Sequence, residues 1–129
     1  MQVFDYYSGF EGEPEILISQ KNKDGKAIAL LRIWVAYFDK IISLIPPNGN
    51  GCWEGISLHY HSVTGFYDTS WECQDIILFR QQLESIDEEL LKKGDAESIE
   101  KVSFEVLSIL KSMLKDTIDS DGKIMIEYD

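Results

Sequence analysis

Residues 51–75, GCWEGISLHYHSVTGFYDTSWECQD, interrupt two long stretches of helical periodicity with an alternating one. This change of period is the strongest constraint on the fold. Ile56, Leu58 and Tyr60 point one way and Ser57, His59 and His61 the other, which predicts a half-buried strand. Residues 62–65 offer turn chemistry, with Gly65 free to take a positive φ. In residues 66–71, aromatic side chains surround Thr69 and Ser70, a composition that strands tolerate well. Asp75 is placed to cap a helix that follows.

The rest of the chain supplies the helices and further strands. Residues 3–7 suit a first strand, and 9–14 a loop in which Glu11 and Glu13 begin an alternation continued by Glu15. Residues 15–20 read as a strand or a short helical turn. A helix is expected over about 26–44, because Ala27, Leu31, Trp34, Phe38, Ile41 and Ile45 recur at spacings of three and four. A strand over 27–38 is the competing reading, since β-branched and aromatic residues abound there. Pro46-Pro47 stops the element. A second helix is expected over 74–93 on the stripe Ile76, Phe79, Leu83, Ile86 and Leu90, with Gly94 after its end. Asp95 would cap a third over 96–117, which carries two apolar lines and is well buried. Residues 119–122 form a turn, and 123–128 alternate as a last strand. The expected architecture is α+β: a single domain over 1–129, with a small, mostly antiparallel sheet packed with about three helices.

Charge limits the possible partners. The 129 residues hold 23 acidic and 12 basic side chains, a net charge of −11 that repels nucleic acid and anionic membrane and attracts basic partners. Neither residues 1–20 nor residues 41–79 contain a Lys or Arg, so an acidic face results if the fold brings the two together. The competing view is that the acidity serves solubility alone. Cys52 and Cys73 are too few for a disulfide scaffold and read as free thiols. The N-terminus lacks the basic and apolar regions of a signal peptide, and the longest apolar run is far too short to span a membrane. A cytoplasmic protein, monomeric when free, is expected.

Catalytic signals are sparse. His59 and His61 would project from one face of a strand and could hold a metal with Asp68, Glu72 or Cys73 as third ligand. Cys73 with either histidine could form a thiol–base pair. The plainer reading is two histidines on a solvated strand face. No zinc-protease, Cys-x-x-Cys, phosphate-loop or dinucleotide motif is present, and no cofactor is expected. Trp53, Tyr67 and Trp71 read as packing aromatics or, beside acidic groups, as interface anchors.

One resemblance adds to this. Phe66-Tyr67-Asp68, the gap Thr69-Ser70, Trp71, then Asp75-x-x-Leu78 and Gln82-Leu83-x-x-Ile86 resemble the immunity proteins of bacterial contact-dependent growth inhibition. The match covers roughly residues 28–87, and its motifs are of the packing kind. It departs from the family pattern in Phe66, which replaces the first aromatic, and in the two residues that fill the gap. The resemblance implies a small acidic protein that binds and neutralises a cognate toxin domain, here a nuclease with a basic substrate surface, by occlusion. The expected partner-binding residues are Glu11, Glu13 and Glu15 together with Tyr67, Asp68, Trp71, Glu72 and Asp75. The alternative is a small metal-binding protein or enzyme that uses His59 and His61.

Overall fold

The computed structural model describes residues 1–63, 70–93, 95 and 98–129. The chain is α+β. Its strands are β1 (Gln2–Tyr6), β2 (Glu15–Lys21), β3 (Ala27–Trp34), β4 (Trp71–Glu72) and β5 (Lys123–Tyr128), joined in one sheet of order β1-β3-β2-β5-β4. β1 runs parallel to β3, and the other neighbours are antiparallel. The sheet is therefore mixed but mostly antiparallel, and the acidic N-terminal stretch contributes two of its strands.

The α-helices among the described residues are α1 (Val35–Ser43), α2 (Gly55–Val63), α3 (Ile76–Glu84) and α4 (Ile99–Asp119). One face of the sheet supplies the core. Ile18 stands opposite both Leu31 and Ile126, and all three are fully buried. Phe38, Ile41 and Ile42 of α1, Phe79 and Leu83 of α3, and Val106, Leu107, Leu110 and Leu114 of α4 close over them. Each such side chain stabilises the fold by about 1.5–3 kcal/mol through burial. The alternate positions Leu17, Leu30 and Met125 are only half-buried, which marks the other face as open.

Several expected elements change. The helix expected over 26–44 is a strand followed directly by a helix, as the competing reading of 27–38 had it for the first half. β3 lies between β1 and β2 and is apolar on both faces, so its side chains satisfy a spacing of three and four as readily as a spacing of two. Trp34 makes no side-chain cap to α1; instead the Val35 N–H donates to the Pro14 carbonyl at 3.1 Å. A cap supplied from another loop is invisible to local reading.

The strand expected over 56–61 is helix α2. The apparent alternation depended on Leu58, which is 51 % exposed. Ile56 and Ser57 are buried and Tyr60 is half-buried, a spacing of one and four that belongs to a helix. The helix expected over 74–93 ends at Glu84, and a 3-10 turn follows at Glu88–Leu90. The Asp87 side chain accepts from the Glu89 N–H, and the Ser85 hydroxyl bonds the Gln82 carbonyl; both draw the backbone away from the helix. Leu91, not Leu90, enters the core as a result. The cap of α4 is Ser98, which accepts from the Lys101 N–H at 3.2 Å, in place of Asp95. No helix among the described residues is long and apolar enough to cross a membrane.

Candidate protein-binding surface

Acidic groups gather at the end of the sheet where β1 ends, β2 begins and β5 ends. Glu15 and Asp129 exchange both backbone hydrogen bonds, at 3.0 and 2.9 Å, and Glu127 stands opposite Leu17 on the open face. The loop from β1 to β2 adds Glu11 and Glu13, both exposed. Asp5, on β1, lies opposite Arg32 of β3. The Tyr7 phenol is pushed up, first by burial and then by the charges of Glu15, Glu11 and Asp129. Tyr7 itself donates its hydroxyl to the Glu13 carbonyl.

The loop holding these groups is ordered by its own side chains. Asp5 accepts from the Ser8 hydroxyl and from the Tyr7 and Ser8 N–H groups, and this holds its carboxyl down to about 2, with the Ser8 hydroxyl the largest cause. The Glu11 carboxylate accepts from the Gly9 N–H at 2.9 Å. Behind the loop, Phe10 stacks on Trp34 with ring centres 4.2 Å apart, and Tyr37 meets both rings edge-on. A rigid aromatic seat thus presents a carboxylate-rich rim.

The structure separates the residues expected to bind a partner. Glu11 and Glu13 are on the rim. Glu15 is turned inward: it is 5 % exposed, and its carboxylate is held by Arg32 at 2.7 Å. Trp71 shares the inner face with Ile126 and stacks on His59, so it packs within the fold. Glu72 is on the open face opposite Met125, 3.9 Å from Lys123. Asp75 caps α3 by accepting from the Leu78 N–H at 2.9 Å. Tyr67 and Asp68 lie outside the described residues. β1 and β4 form opposite edges of the sheet, about 19 Å apart at ordinary strand spacing. The acids of residues 1–20 lie at the end of the sheet that carries Glu127 and Asp129, and Glu72 stands one strand from Glu127 on the same face. Nothing local in the sequence pairs β2 with β5, so this partnership was not visible before the fold.

The histidine pair also changes. Two residues apart on a helix, His59 and His61 diverge by about 200° around the axis, so they do not share a face. His59 stacks on Trp71 at 5.2 Å and His61 on Trp53 at 4.3 Å. Burial holds His59 below the ordinary histidine value. Among the described residues no group of three or more His, Cys, Asp or Glu side chains is arranged to hold a metal ion. Cys73 is buried and Cys52 exposed, and both are free thiols.

No protein-family model, no curated protein and no solved structure matches the chain.

Proposed function

We propose that the protein is an inhibitor of the immunity type, binding a basic toxin domain, with a nuclease as the toxin class, and covering its active or substrate-binding surface. The observation that carries this reading is the acidic rim. Asp5, Glu127 and Asp129 lie at the same end of the sheet as the loop that carries Glu11 and Glu13, where Arg32 is already committed to Glu15. Carboxylates so placed compete for the groups that a nuclease uses to hold phosphates, and they accelerate encounter with a basic surface. The motifs around residues 66–86 support the same family. On this reading the protein acts as a monomer in the cytoplasm, as a binder without catalysis or cofactor.

The test is co-purification with the product of the neighbouring gene, followed by association kinetics at rising salt. A stable 1:1 complex whose association slows with salt supports the reading. The double variant Glu13→Lys with Glu127→Lys, both at exposed positions, should slow association about ten-fold and leave thermal stability unchanged. No complex with that product, or with the purified nuclease domain it carries, overturns it.

A further inference from the structure

We infer that β1 and the groove between it and α4 receive an added strand from the basic partner, a docking mode that rests on the inhibitor reading above. β1 ends the sheet, with β3 as its neighbour among the described strands, so alternate residues along it turn N–H and C=O groups outward. It contains no proline or lysine and its register with β3 is unbroken, so neither a missing N–H nor a bulge blocks edge pairing.

A groove of about 370 Å³ opens directly under this edge, between Gln2 and Phe4 on one side and Ser108, Ser112 and Asp116 on the other. Gln20, 3 % exposed, lies in its wall and donates Nε2 to Asp116 Oδ2 at 2.8 Å. At the far end of β1, burial first and then the nearby charge of Glu105 on α4 push the Tyr6 phenol up. Asp116 thus lies in the wall of the groove, Glu105 stands beyond it near Tyr6, and no Lys or Arg is among the described residues that line it. An added strand would place every second side chain in this groove, about 7 Å apart. A Lys or Arg there meets Asp116 or Glu105, and an apolar residue meets Phe4. A second copy of this chain carries the same net charge of −11, and that like-charge repulsion disfavours it as the occupant.

The experiment is amide hydrogen exchange on the protein free and in complex with the neighbouring gene's product. Residues 2–6 should exchange about ten-fold more slowly or better in the complex. Ser112→Arg and Gln2→Arg, at exposed positions lining the groove, should each weaken binding about ten-fold while the thermal midpoint stays within about 2 °C. A complex that forms with unchanged exchange at residues 2–6, and that both variants form normally, overturns the strand-addition mode and leaves the inhibitor reading standing. A free protein that dimerises through residues 2–6 also overturns it. Absence of any complex removes the inhibitor reading and this mode together.

Discussion

Arg32 Nε stands 2.7 Å from Glu15 Oε2, joining β3 to β2 on the open face, where the Glu15 side chain is only 7 % exposed and that of Arg32 37 %. The pair lies inside the acidic rim and holds its innermost carboxylate. Removing one partner leaves a desolvated charge with nothing to offset it. Arg32→Ala should therefore lower the urea midpoint, while the double change Arg32→Leu with Glu15→Leu should cost less than the single. Urea unfolding of the three proteins checks this, and a single variant no less stable than the double would refute it.

Asp75 separates capping from charge. Its carboxylate accepts the Leu78 N–H at the start of α3. Asp75→Ala should cost about 1 kcal/mol, whereas Asp75→Asn keeps an acceptor and should cost a few tenths. If Asp75→Asn weakens partner binding as Asp75→Ala does, with its thermal midpoint preserved, then the charge serves the interface as well as the helix.

Gly122 closes the turn between α4 and β5, its N–H donating to the Thr117 carbonyl at 2.9 Å. A Cβ at this position would stand 2.3 Å from the Lys21 carbonyl oxygen, a backbone atom of β2 that cannot turn aside. Gly122→Ala should cost about 2–3 kcal/mol through overpacking. Gly49→Ala, where a Cβ meets nothing within 4 Å, should stay within about 0.5 kcal/mol. Thermal unfolding compares them, and equal midpoints would refute the close approach.

The two thiols should differ in reactivity. Cys52 is exposed and Cys73 buried, and burial pushes the Cys73 thiol up from 9.0 to about 11. Native protein treated with an alkylating reagent at pH 8 should take up one label, at Cys52, with Cys73 reacting after unfolding. Because the folded value lies above the unfolded one, the stability linked to Cys73 is complete below pH 9 and is lost as pH rises through about 11. Cys73→Ala should flatten that alkaline slope. Equal labelling of both thiols would contradict the burial.

Legibility followed the range of the interactions. β5 and α4 were evident because one strict alternation and one long stripe each belong to a single element. β3 was obscured because a central strand is apolar on both faces, and α2 because exposed Leu58 imitated a buried position. Of the expected site, Glu11 and Glu13 kept their exposure, whereas Glu15, Trp71 and Asp75 are occupied within the fold by an ion pair, a stacked ring and a helix cap. A carboxylate's sequence neighbours do not reveal whether its partner is solvent, a backbone N–H or an arginine on the adjacent strand.

By itself the sequence determined a mixed α+β chain, its large negative charge, the helical stripe of α4, and a first segment free of positive side chains. Tertiary structure alone decided that residues 27–34 become a central strand, that His59 and His61 part around a helix, and that Glu15 pairs with Asp129. The physical reason is locality. Periodicity and composition act within a few residues along the chain, whereas strand order and register bring together groups more than a hundred residues apart, as with Glu15 and Asp129.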